Sequence, residues 1–162
     1  MAENINIEIE MQDGGVIKAE LYPDVAPITV ENFVKLINDN FFDGLIFHRV
    51  IEGFMIQGGG FDVNGNHKQA ESIKGEFNSN GVTNNLKHTR GVLSMARTMF
   101  PNSASSQFFI MHKNAPHLDG QYAGFGKVTD GMDVVDAIAT TDTDYQDKPL
   151  TDMVIKTMRI VG

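Results

Sequence analysis

The strongest constraint on the fold is a period-2 alternation of apolar and polar residues that opens the chain and returns at its end. Ile5, Ile7, Ile9 and Met11 alternate with Asn6, Glu8 and Glu10, the pattern of a strand with one buried face. Asp13-Gly14-Gly15 then supplies a tight turn, and Ile17, Ala19 and Leu21 alternate with Lys18, Glu20 and Tyr22. The spacing predicts a hairpin. Residues 154–161 alternate again as a last strand, and short β-rich pieces at 45–51, 54–57, 91–96, 107–111 and 125–128 lie between glycine-rich or polar turns.

Helical period interrupts this pattern twice. Val30, Phe33, Val34 and Ile37 fall at i, i+3, i+4 and i+7 behind Pro27, which predicts an amphipathic helix from Pro27 to about Asn38. A second helix is expected to start at Asp130 as its N-cap, with Met132, Val135, Ile138 and Ala139 on one face. Many short strands, two helices and no βαβ rhythm indicate an antiparallel barrel or sandwich. The polar stretches 62–87 and 99–106 are too long for hairpin turns, and function concentrates in such loops. The 162 residues suit one domain, 1–162, with a core that needs no staples.

Thirteen basic against 21 acidic residues give a net charge of −8, which disfavours nucleic acid and anionic lipid as partners. No apolar run approaches the roughly 18 residues of a membrane span. The absence of cysteine excludes a disulfide framework, a thiolate nucleophile and a cysteine zinc site. Met1-Ala2-Glu3-Asn4 has neither a basic nor an apolar leader character, so a cytoplasmic location is expected. His48, His67, His88, His112 and His117 show no ligand spacing such as H-E-x-x-H, and no metal or other cofactor is expected. His48 reads as a hydrogen-bonded core residue. Gly58-Gly59-Gly60 and Gly124-Phe125-Gly126-Lys127 lack a phosphate-loop context and suit bends or close strand approach. Ser103, Ser105 and Ser106 sit in no Gly-x-Ser-x-Gly elbow, and the acidic run 142–147 reads as a solvated loop.

The most unusual window is Phe47-His48-Arg49-Val50-Ile51-Glu52-Gly53-Phe54-Met55-Ile56-Gln57-Gly58-Gly59-Gly60. Strict alternation puts Arg49 on one face with Phe47 and Ile51, an apolar surface on which a guanidinium needs a partner. The window equally suits a surface arginine lying along its aliphatic stem. A second window, Leu93-Ser94-Met95-Ala96-Arg97 with Ser105-Ser106-Gln107-Phe108-Phe109-Ile110-Met111, adds small residues, a glutamine and aromatics that by themselves read as core packing.

Together these windows resemble the cyclophilin family of peptidyl-prolyl cis-trans isomerases. The resemblance covers nearly the whole chain: residues 27–33 match the first helix, 47–59 the Phe-His-Arg and Gly-Phe-Met-x-Gln-Gly-Gly segment, and 91–96 the Gly-x-Leu-Ser-Met-Ala strand. Residues 106–109 match Ser-Gln-Phe-Phe, and Leu118-Asp119-Gly120 with Phe125-Gly126-Lys127-Val128 the C-terminal signature. It implies a mainly β fold, an eight-stranded antiparallel closed barrel capped by two helices, with an active groove on the outer face. It also implies that Arg49 is the catalytic arginine, oriented by Gln57, and that Phe54, Met55, Phe109 and Leu118 form the proline pocket. Ala96 and Gln107 would line the neighbouring groove, and Arg97 would offer its backbone where many members have asparagine. His117 stands where many have tryptophan and Tyr122 where many have histidine, as in bacterial-type members. Substrate contact is expected at both, with weak cyclosporin binding because of His117.

The expected partners are therefore proline-containing polypeptides, met by a monomer that assists protein folding. An X-Pro amide rotates over a barrier of about 18–20 kcal/mol without any bond being made or broken. A donor at the prolyl nitrogen favours the twisted state, in which the nitrogen lone pair is localised, over the planar one. A peptide-binding module or chaperone that holds proline segments without turning them over is the alternative, and Arg49 with Gln57 argues against it. A small-ligand barrel ranks last, since small barrels are commonly filled by side chains.

Overall fold

Eight antiparallel strands form one curled sheet in the order β3-β4-β6-β5-β7-β2-β1-β8. The strands are β1 (Ile5–Met11), β2 (Val16–Leu21), β3 (Arg49–Ile51), β4 (Met55–Gly58), β5 (Val92–Met95), β6 (Phe108–Met111), β7 (Gly124–Asp130) and β8 (Ile155–Val161), with helices α1 (Pro27–Asn38) and α2 (Met132–Ala139). This computed structural model describes residues 3–162; Met1 and Ala2, the start of the amino terminus read above, lie outside them. No helix among the described residues is long and apolar enough to cross a membrane.

The hairpin forms as its alternation predicts, with Ile7 opposite Ala19 and Ile9 opposite Ile17, all four buried. The final strand departs from simple alternation. Glu10 faces Thr157 but Met11 faces Ile155, so Lys156 bulges out and the inward side chains become Ile155 and Met158. A bulge of one residue reverses the parity of everything beyond it.

The barrel is not closed by a continuous ladder, which corrects the expectation of full closure. β3 and β8 end the sheet; the seam between them is an isolated bridge, Ile46 to Val154. Three backbone bonds hold it: Gly44 N–H to Ile155 at 2.8 Å, Phe47 N–H to Met153 at 3.0 Å and Ile155 N–H to Leu45 at 2.8 Å. The chain leaves extended pairing at Phe47 and His48, so the segment predicted as one strand over 45–51 is two pieces. Phe47 consequently points inward at 0% exposure while Arg49 points out, and the shared face expected for them does not exist.

Phe33 of α1 lies at the centre of the core, 5.1 Å from the Phe42 ring, 5.3 Å from Phe108 and 4.9 Å from Phe125. Such aromatic pairs each contribute about 0.5–1.5 kcal/mol beyond the area they bury. Pro27 starts α1, but Ala26 before it has no capping side chain. The long loop supplies the cap instead: the buried Glu76 carboxylate accepts from the Thr29 N–H at 2.6 Å and the Thr29 hydroxyl at 2.7 Å. α2 also differs from expectation at its start. Asp130 is the last residue of β7, and the N-cap is Gly131 at φ 94°, because the strand turns into the helix through a left-handed residue close against Val16.

Candidate active site

The site grows from the outer face of one end of the sheet. Inward residues of β4, β5 and β6 (Ile56, Leu93, Met95, Phe108 and Ile110) belong to the main core. Their outward neighbours Met55, Val92, Phe109 and Met111 form a second apolar cluster with Ala115 and Leu118, against which Phe54, Ala96 and Tyr122 pack. Register then sets a row across four strands: Arg49 opposite Gln57, Gln57 opposite Phe109, and Phe109 opposite Ser94. Residues distant in sequence thus become neighbours about 5 Å apart.

Arg49, Phe54, Met55, Gln57, Ala96, Arg97, Phe109, Leu118 and Tyr122 line one open cavity of about 190 Å³. Its floor is apolar, with Met55, Phe109 and Leu118 buried. The exposed Arg49 stands at the mouth, and its Nη1 donates to Gln57 Oε1 at 3.3 Å. Gln57 Nε2 donates in turn to Gln107 Oε1 at 3.1 Å. The two bonds together fix which way the Gln57 amide faces. Gln107 does not line the apolar cavity; it borders the polar pocket beside it, which shares Gln57, Ala96 and Arg97. His117 also stays outside, exposed at the rim with its ring 5.9 Å from Phe54.

The Arg97 side chain is tied down beside the cavity. Its Nη2 and Nε donate to the Gln121 carbonyl at 2.7 and 3.1 Å, and its guanidinium lies 4.7 Å from both the Phe77 and Tyr122 rings. Tyr122 is held edge-on to Phe109, 5.8 Å away. A guanidinium between two rings fixes them by cation–π attraction, so Arg97 steadies the wall formed by Tyr122.

The family model described as cyclophilin type peptidyl-prolyl cis-trans isomerase/CLD matches residues 6–160. The chain belongs to the cyclophilin family. It is 50% identical over 145 residues to a peptidyl-prolyl cis-trans isomerase of Acinetobacter baylyi, covering 85% of this chain and 74% of that protein. It is 43% identical over 159 residues to peptidyl-prolyl cis-trans isomerase B of Escherichia coli, covering 90% and 94%. Its fold is similar to that of a Cryptosporidium parvum cyclophilin type peptidyl-prolyl cis-trans isomerase, with TM-score 0.87, 32% identity and 99% of each chain covered. The same parasite protein, solved in the presence of the dipeptide Ala-Pro, aligns with TM-score 0.83 at 31% identity, over 97% of this chain and 99% of that one.

One element of this cyclophilin has no signal in the sequence. Behind Phe109, the His88 ring lies nearly parallel at 6.1 Å, with Nε2 2.8 Å from Ser94 Oγ and Nδ1 3.1 Å from Asp119 Oδ1. Burial pushes the His88 ring below the usual histidine range, against the opposing pull of Asp119. A neutral ring that donates from Nδ1 to Asp119 and accepts at Nε2 from the Ser94 hydroxyl satisfies every partner. The set has the composition of a hydrolytic triad, but Ser94 is 0% exposed, out of reach of any substrate. It is the polar backing of the apolar floor. His48, read from sequence as hydrogen-bonded, instead has a buried Nδ1 without a partner, and its ring packs tilted by 57° against Phe61, 4.7 Å away. Among the described residues, no three histidine, aspartate or glutamate side chains gather as metal ligands would.

Proposed function

We propose that this cyclophilin turns X-Pro bonds by seating the proline ring on Met55, Phe109 and Leu118 and presenting Arg49 to the prolyl nitrogen. The observation that carries the reading is Arg49 at the mouth of an apolar cavity, braced by a glutamine whose own orientation is fixed. Acceleration from about a hundred seconds to a millisecond is about 10⁵-fold, or roughly 7 kcal/mol. A preorganised donor aimed at a localising lone pair supplies about 2.7–4 kcal/mol of this. The rest comes from holding the ring in a dry pocket while the chain before it rotates in the open groove. Phe54 and Tyr122 wall the ring, Ala96 and the backbone of Arg97 receive the preceding residues, and Gln57 contacts substrate as well as Arg49.

The partners are proline-containing polypeptides in an extended or unfolded state. Cyclosporin binds weakly, because His117 packs its small ring on Phe54 where an indole would be needed. The chain works as a single-domain monomer in the cytoplasm. A protease-coupled assay on a four-residue X-Pro peptide tests the central reading, with cis-to-trans conversion expected well above the uncatalysed rate. Binding of the peptide with no acceleration would replace it with the binding-module reading.

A further inference from the structure

Residues 98–103 form a loop that is rigid inside and bare outside. The Ser103 hydroxyl accepts from the Thr98 N–H at 2.9 Å and the Thr98 hydroxyl at 2.8 Å, and donates to the Phe100 carbonyl at 2.7 Å. The Phe100 N–H donates to Thr98 Oγ1 at 3.2 Å. Outside this ring of bonds, Asn102 Oδ1 accepts from the Gly75 N–H at 3.1 Å and Asn80 Nδ2 at 2.9 Å. A loop so fully bonded does not collapse to hide its side chains. Met99 is nonetheless 90% exposed and Phe100 74% exposed, two adjacent large apolar groups that the fold itself never uses. Isolated exposed apolar residues are ordinary; an adjacent pair on a preorganised loop indicates a surface kept for contact.

The loop is continuous with the substrate groove. Thr98 and Ser103, which hold it, line the polar pocket that shares Gln57, Ala96 and Arg97 with the proline cavity. Met99 and Phe100 follow Arg97 by two and three residues, at most about 7–10 Å along the chain, a span that an extended client covers with about three residues. We propose that Met99 and Phe100 form an accessory docking site for a large apolar side chain of the client, about three residues from its proline. Methionine is adaptable and phenylalanine contributes area, so the site selects apolar character, without one required residue. It directs the enzyme toward unfolded clients, whose apolar side chains are uncovered. The inference rests on the isomerase reading above and extends it to substrate choice.

The test uses the full chain and seven-residue peptides with a central Ala-Pro, carrying leucine or serine at each of the outer positions in turn. For the wild type, leucine at one outer position on one side of proline lowers KM by about five- to tenfold relative to serine, as expected for apolar burial of a few tens of Å². In the double variant Met99→Ser, Phe100→Ser that advantage disappears, while kcat/KM on a four-residue peptide is unchanged and confirms the fold. Calorimetric Kd values on the same peptides read the contact independently of turnover, so a wild type that binds without catalysis removes the isomerase reading and still decides this one. Equal values for leucine and serine at every position, or a leucine advantage that survives in the double variant, overturns the inference. A concentration-dependent dimer that the double variant abolishes, with no leucine effect, also overturns it in favour of self-association.

Discussion

On the proposed mechanism, replacing Arg49 by alanine separates catalysis from folding. The side chain is exposed and makes one side-chain bond, a long one of 3.3 Å to Gln57, so its removal changes stability by no more than about 0.5 kcal/mol. Its contribution to turnover is larger because the prolyl nitrogen becomes a good acceptor only as the amide twists. Losing one preorganised donor to a developing acceptor costs about 2.7–4 kcal/mol, or 10²–10³ in rate. The loss falls on kcat and kcat/KM together, since the bond is absent in the planar ground state. Arg49→Lys keeps the charge but not the planar fork that meets Gln57 and substrate at once, and recovers about tenfold or less of the lost rate. Both variants are measured in the coupled peptide assay, with urea midpoints as the folding control. An Arg49→Ala enzyme within threefold of wild type in kcat/KM, with an unchanged midpoint, refutes the electrophilic role.

Three further outcomes follow from the same geometry. A methyl group at Gly60 would meet the Gln107 side chain at 2.5 Å; because that side chain is flexible, Gly60→Ala displaces it, frees the Gln57 amide and lowers kcat about tenfold with the urea midpoint little changed. Glu76→Ala removes the cap of α1 and leaves the buried Thr29 donors unpaired, which costs about 2–4 kcal/mol by urea unfolding and leaves the apolar cavity beside Arg49 intact. Burial, with smaller contributions from Arg49 and His67, lowers the His48 pKa to about 4, below its unfolded value of about 6.5. The unfolded chain therefore binds the extra proton first, so His48 withdraws stability as pH falls from 6.5 through 4, by about 2 kcal/mol once partial exposure is discounted. Urea midpoints between pH 7 and pH 4 fall less steeply in His48→Gln.

How far the sequence reveals this molecule depends on whether the signal is local. β1 and β2 are legible because one face is apolar and the other charged. β6, Phe-Phe-Ile-Met, is buried on both faces, so periodicity cannot tell Phe108 in the core from Phe109 in the groove; the family resemblance could. Alternation failed at Phe47 and Arg49, where the chain leaves the sheet for two residues, and beyond Lys156, where a bulge reverses parity. Glu76 under Thr29 and Asp119 under His88 join residues 47 and 31 apart in sequence. No window contains both partners, and only the fold brings each pair together.

The arrangement also explains why such a site lies on the outside of a sheet. Rotation of an X-Pro amide transfers no proton and releases no group, so the enzyme has no intermediate to shield from water. It must grip the ring firmly while the preceding chain remains free to swing. A closed interior would hold both sides of the bond. An outer sheet face holds one: the row from Arg49 through Gln57 and Phe109 to Ser94 is fixed by backbone register, and the ground beside it stays open. Rigidity under the proposed ring seat comes from two directions, the main core beneath β6 and the neutral His88 bonded to Ser94 and Asp119 behind Phe109. Softening that backing should loosen the ring seat before it touches Arg49, raising KM first and kcat only as the nitrogen drifts out of reach of the guanidinium.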